Sequence, residues 1–290
     1  MVKVAAGMII FNGNYVLEEC LESMYPHVDQ ILIAEGPVQF WQEQGYTTSD
    51  DGTNDVIHQF YDPENKITIV HGQYQEKTEQ ANAYMKYLRD DIDYIFNIDS
   101  DEFYKDEDWG RIKNILNTKK YSEIQFRSHT FFGGFEYLMG GYEATVKYVR
   151  IQKVYPGAKW KTHRPPRIEP KRWVNYPPCV LTHEDTDDIN IRMYHYSYVF
   201  PKQVKQKATY YELVIDSSNC IENYYENVWK PWVLGDEREK QKIENKYNGV
   251  HKYKKRSMAF TNKFTGEHPK IIQDRLPKLK EIFNQQLLTV

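Results

Sequence analysis

The densest chemistry in this chain lies in six residues, Ile98-Asp99-Ser100-Asp101-Glu102-Phe103, where three carboxylates follow the apolar run Tyr94-Ile95-Phe96. In an extended segment alternate side chains share a side, so Asp99 and Asp101 are expected to point together, with Ser100 opposite. Carboxylate oxygens placed this way suit a hard divalent ion such as Mg²⁺ or Mn²⁺. A site with few protein ligands leaves coordination positions open for phosphate oxygens. A bound ion would also relieve the like-charge repulsion that raises one carboxyl pKa. The same D-x-D pattern occurs in acidic turns on solvated surfaces, so its position in the fold decides its meaning.

That position follows from the flanking elements. Four short apolar runs, at 4–11, 30–36, 66–72 and 93–99, have the length and β-branched content of buried strands. Helical stripes separate them: Val16, Leu17, Cys20, Leu21 and Met24; then Val56, Ile57, Phe60 and Tyr61; then Ala81, Met85, Leu88 and Ile92. Strand and helix in strict alternation predict a parallel α/β sheet, whose ligands sit beyond the carboxyl ends of the strands. Those ends carry Asn12, Glu35, His71 and Asp99. A glycine-rich GxGxxG turn is absent after the first strand, which runs into FNGNY, and no GxxxxGK[ST] occurs. Dinucleotide cofactors and P-loop chemistry are therefore disfavoured.

Beyond residue 120 the segments EIQFRSHTFF, YEATVKYVRIQKVY and NIRMYHYSYVF read as longer strands, joined by glycine-rich and proline-rich loops. From Pro201 the chain turns helical, with Leu279, Ile282, Phe283 and Leu287 on one face. The expected partition is a catalytic domain over 1–200, split into a donor and metal half (1–104) and an acceptor half (105–200), with a helical region over 201–290. The loop SHTFFGGFEYLMGGY is either a mobile aromatic flap or a hairpin with glycine turns. HRPPR (163–167) and HKYKKR (251–256) concentrate positive charge that could meet a diphosphate.

With 40% apolar and 27% charged residues the chain has a globular composition, and its net charge of -3 argues against a chain-wide grip on nucleic acid. Cys20, Cys179 and Cys220 form no CxxC pair or disulfide framework, so a reducing, cytoplasmic setting is expected. The N-terminus lacks signal-peptide anatomy, and no stretch approaches the ~18 apolar residues of a membrane span.

The order of pieces, IIFNGNYVLEECLESMYPHVDQILIAEGP, then EKTEQANAYM, then YIFNIDSDEFY, resembles GT-A-fold glycosyltransferases, in particular the family-two-like nucleotide-sugar transferases. The resemblance covers residues 4–104 and continues more loosely toward 200. It implies a GT-A-type, Rossmann-like mixed α/β sheet flanked by helices. It also implies a nucleotide-sugar donor contacted by Phe11, Asn12, Glu35, Lys77, Asn82 and Asp99. The metal, Mn²⁺ or Mg²⁺, would be held by Asp99, Asp101 and a late histidine, which falls on His195. The family shows Asp-Asp-Gly-Ser where this chain has Ala34, Glu35, Gly36 and Pro37.

Transfer to an acceptor hydroxyl with inversion needs a general base. Glu184 and Asp185 in LTHEDTDD are the candidates, with Glu102 behind them. The acceptor stays open among glycan, other hydroxyl compounds and nucleic acid. Two other readings use the same parts: a catalytically silent carbohydrate- or nucleotide-binding protein, and a metal-dependent nucleotidyltransferase, which would normally carry a glycine-rich basic loop after the first strand.

Overall fold

The computed structural model describes residues 1–169, 179–215, 218–254 and 258–290. The chain forms two compact units, one of residues 1–126 and 147–191, the other of 127–146 and 192–290.

In the first unit the expected alternation is realised as β1 (Val4–Ile10), α1 (Leu17–Met24), β2 (Gln30–Glu35), α2 (Gln39–Glu43), α3 (Thr53–Gln59), β3 (Ile67–His71), α4 (Lys77–Met85) and β4 (Tyr94–Asn97). β1 pairs in parallel with both β2 and β4, and β2 in parallel with β3. Beyond β4 the sheet continues through Tyr148–Lys153, antiparallel, then Glu123–Phe126 and Val180–Leu181, giving a seven-stranded mixed sheet. β1 and β2 are buried on both faces, which is why they read as continuous apolar runs rather than alternating ones.

On one face α4 and the hairpin of Lys159–Thr162 with Arg167–Glu169 enclose Ala5, Leu32, Ala34, Ala81, Tyr84, Ile95 and Trp160. Gly7 of β1 is required here, because a Cβ would lie 2.7 Å from the Tyr84 hydroxyl. The chain moves from β1 outward to β2 and β3, then returns to the other side of β1 for β4. That reversal puts the switch point at the carboxyl ends of β1 and β4, the place where open α/β sheets bind ligands.

The second unit has its own four strands, in the order Thr261–Lys263, Tyr137–Met139, Ser128–Phe132 and Met193–Tyr198. They pack with the helical tail around Phe132, Met139, Tyr198, Val204, Trp229, Trp232 and Val250. The last helix, Lys270–Thr289, buries Leu279 and leans Phe283 and Leu287 on that core. This corrects the expected division at residue 200, because 127–146 and 192–200 fold with the tail. Periodicity revealed which faces of those strands are apolar but not which partner covers them.

The aromatic loop is a hairpin in which Phe131 pairs with Leu138, and Phe131, Phe132 and Phe135 are buried. Gly141, at φ 56°, could carry no Cβ without meeting the Met258 carbonyl at 1.7 Å. Among the described residues no helix is long and apolar enough to cross a membrane.

Candidate functional site

At the end of β1, Asn12 adopts a left-handed φ of 47°. The turn that follows is held by the segment before α3: Ser49 Oγ accepts from the Asn12 amide (2.9 Å), Thr53 Oγ1 from the Gly13 amide (3.0 Å) and Asp51 from the Asn14 amide (2.9 Å). The Asn12 and Asp50 side chain and backbone groups exchange two further bonds of 2.9 Å. The ring of Phe11 meets Trp41 (centroids 5.7 Å) and Tyr46 (5.4 Å, edge-on). These three half-buried aromatics offer flat apolar area of the kind that stacks on a planar base.

At the end of β2, Glu35 is 1% exposed and fully engaged. Its carboxylate accepts from the Ser49 amide (2.8 Å) and the Thr48 hydroxyl (3.1 Å), and it pairs with His71 Nδ1 (2.9 Å). Burial pushes this carboxyl up, and the bonds from His71, Ser49 and Thr48 outweigh it, so it ionises below the usual range. Beside it Gln80 of α4 donates to the carbonyls of Ile10, Ala34 and Gly36 (2.9–3.2 Å), tying the ends of β1 and β2 together.

At the end of β4 the expected alternation fails. The strand stops at Asn97, and residues 99–102 form a turn closed by the Glu102 amide donating to the Asp99 carbonyl (3.1 Å). A Glu102 carboxylate oxygen accepts from the Asp99 amide (3.1 Å), and Cys20 Sγ lies against both carbonyls of the turn (3.8 and 3.6 Å). Asp99 and Asp101 therefore owe their placement to a hydrogen-bonded turn and not to a pleated strand. Asp101 is 8% exposed. Its charge, with those of Asp51 and Asp50, adds to burial in raising the Tyr15 phenol.

Two arginines meet this turn. Arg150, from the antiparallel neighbour of β4, is buried and ion-paired with Glu102, and it also reaches Asp99 Oδ2 at 3.4 Å. Burial works against its charge, and Glu102 and Asp99 more than offset that. Arg164 reaches the same Asp99 oxygen at 3.4 Å from a side chain that is 57% exposed. Next to it His163 is buried. Desolvation first, then the charges of Arg164, Lys77 and Arg150, hold it neutral by lowering its pKa to about 3. Arg150 and Arg164 thus converge on Asp99, and the charge of Lys77 is felt at the neighbouring His163.

Asp99 and Asp101 are hard oxygen donors, compatible with a divalent ion that completes its shell with water and phosphate. Among the described residues no group of three or more His, Cys, Asp and Glu side chains is arranged to hold a metal. His195 belongs to the second unit, where it is buried on Met193–Tyr198.

Other expected site residues have structural partners. The Asn82 amide is spent on the Trp160 backbone, accepting from its N–H (2.7 Å) and donating to its carbonyl (2.8 Å). Asp185 is the third residue of a capping box with Thr182, bonding its amide (2.9 Å) and hydroxyl (2.8 Å). Glu184 is exposed and paired with His183 Nδ1 (2.9 Å). Of HKYKKR, Lys255 and Arg256 lie outside the described residues.

Sequence reasoning missed Arg150, Gln80, Trp41 and Tyr46. Arg164 had a signal in the basic HRPPR run. Arg150 had none, as a single charge within an otherwise ordinary strand.

No family model and no curated protein matches the chain. Among solved structures it is similar to S. aureus TarS 1–349 in complex with UDP-GlcNAc, at 13% identity and a TM-score of 0.33, covering 45% of this chain and 35% of that one. A second alignment, with TarS 1–349, covers 99% of this chain and 81% of that one at 10% identity and a TM-score of 0.38. The 4-diphosphocytidyl-2C-methyl-D-erythritol synthase of Anaerococcus prevotii matches at 13% identity and a TM-score of 0.32, over 52% and 70%. The chain spans about a third of the length of the first of these, and at such scores the likeness assigns neither family nor activity.

Proposed function

We propose that the first unit is a nucleotide-sugar-dependent glycosyltransferase of GT-A type whose donor binds beyond the carboxyl ends of β1, β2 and β4. The observation that supports this reading is that, past the carboxyl ends of β1 and β4 where strand order reverses, an aromatic cluster follows one strand and an acidic turn paired with Arg150 and Arg164 follows the other. The base and ribose would lie toward Phe11, Trp41 and Tyr46, with Asn12 shaping the turn beneath them. The diphosphate would lie toward Asp99, Asp101, Lys77 and Arg164.

Transfer breaks the bond between the anomeric carbon and the diphosphate oxygen, so the leaving group gathers negative charge that fixed cations stabilise. Mn²⁺ or Mg²⁺, held by Asp99 and Asp101 together with phosphate oxygens, would supply Lewis-acid stabilisation of that same charge. Lys77 and Arg164 orient the diphosphate, and the buried Arg150–Glu102 pair keeps the acidic turn rigid. An inverting reaction needs a base on the acceptor side. Of the three carboxylates expected in that role, Asp185 caps its helix and Glu102 is tied to Arg150, which leaves Glu184, itself paired with His183, as the candidate.

The test is to incubate the protein with a panel of nucleotide sugars and Mn²⁺, with and without EDTA, and follow release of the nucleotide. Release from one donor, lost in EDTA, is the expected result. Intact nucleotide binding without release from any donor would instead favour a silent binding protein.

A further inference from the structure

Asp99 Oδ2 carries two guanidinium groups at the same 3.4 Å, and the two arginines differ in every other respect. Arg150 has a side chain 7% exposed and is pinned by the fully buried Glu102. Arg164 is 57% exposed. Its backbone is steadied by the buried His163 on one side and by the Thr162 hydroxyl donating to the Pro165 carbonyl (2.7 Å) on the other. A separation of 3.4 Å is long for a charge-assisted bond, which settles at about 2.7–2.9 Å. Asp99 would keep a counter-ion in Arg150 if Arg164 left.

We infer that Arg164 is an exchangeable diphosphate ligand, stored on Asp99 while the site is empty and transferred to the pyrophosphate group of an incoming ligand. Phosphate oxygens accept a guanidinium bidentately and carry more charge than one carboxylate oxygen, so they outcompete Asp99 for the exposed arginine. Asp99, relieved of one guanidinium, then recovers part of its negative charge only when a ligand is present. The inference rests on the proposed reading for the donor's identity, but the exchange itself needs only a diphosphate.

The exchange has a dependence that a fixed anion site lacks: removing the charge of Asp99 should improve diphosphate binding chiefly through Arg164, by ending the competition for it, and not merely by relieving repulsion. Isothermal titration of inorganic pyrophosphate, in EDTA so that no divalent ion contributes, tests it on the whole chain. Arg164→Ala should weaken binding about tenfold, the loss of one charge-assisted contact. Asp99→Asn should tighten it several-fold, and in the Arg164→Ala background Asp99→Asn should lose most of that gain. Circular dichroism and urea midpoints confirm that each variant folds.

If Asp99→Asn weakens binding or leaves it unchanged while the fold is intact, the stored-ligand idea is wrong. The same follows if the gain persists without Arg164. Absence of nucleotide-sugar turnover in a protein that shows these shifts would overturn the glycosyltransferase reading and leave the exchange standing.

Discussion

Two acids end neighbouring strands of one sheet, and their surroundings give them opposite roles. Glu35, at the end of β2, is itself buried and is satisfied by a hydroxyl, a backbone amide and an imidazole. Asp99, just past β4, faces two arginines, one of them exposed. An acid that accepts from a backbone amide holds a loop in shape, whereas one paired with an exposed arginine can trade partners. The resemblance assigned both to the donor; Glu35 is bonded within the fold as a support for the turn, and the proposed site keeps Asp99 and Asp101 as its ligand-facing acids.

The largest expected effect is on the ligand-facing acids. Asp101→Ala should cut metal-dependent nucleotide release by a factor of 10² or more with an unchanged unfolding curve. Unchanged turnover would remove the acidic turn from the site.

The reverse pattern is expected at β2. Glu35→Ala strips the partners of Ser49 and Thr48 and should cost about 2–3 kcal/mol in urea unfolding. If stability held while nucleotide binding collapsed, Glu35 would be a ligand contact after all and the contrast would break.

Acid titration sharpens the contrast further. Glu35 has a depressed folded pKa, so its contribution is present above the unfolded value of about 4.3 and is lost as pH falls through the folded one. His163 is shifted down to about 3, so the unfolded chain takes its proton first. Its effect is a loss of stability that begins near pH 6.5 and ends near 3. Unfolding midpoints from pH 7.5 to 3.5 should fall in two stages, and His163→Gln should flatten the upper one only.

A smaller effect is expected at Asn82, where Asn82→Ala should cost about 1–2 kcal/mol through the Trp160 backbone and leave the donor KM unchanged. Smallest is Asp185→Ala, which removes the N3 half of the capping box with Thr182 and should lower the urea midpoint only slightly. A fall in turnover of 10²-fold or more would instead make Asp185 the base.

The first unit was legible where signals are local. Apolar strands of four to seven residues and stripes spaced three and four apart put β1 to β4 and the intervening helices where they are found, and the class of the sheet follows from their alternation. The capping box at Thr182 and Asp185 was equally local, but the sequence TxxD serves a helix start and a catalytic pair with the same letters. Reading the D-x-D as pleated strand failed because β4 ends two residues early, at a backbone-closed turn that Cys20 and Arg150 reach from elsewhere in the chain. The assignment of 127–146 and 192–200 to the tail was hidden for a related reason, since an apolar strand face does not name its cover.

What the amino-acid sequence determined by itself is that acids stand at or just past the carboxyl ends of the parallel strands of an α/β sheet. Backbone period and side-chain polarity are properties of a few consecutive residues. What only the tertiary structure decided is which acid is sealed and which is poised. Glu35 meets His71 across 36 residues, while Asp99 meets Arg150 across 51 and Arg164 across 65. Charge compensation is set by distance in space, and no spacing along the chain encodes it.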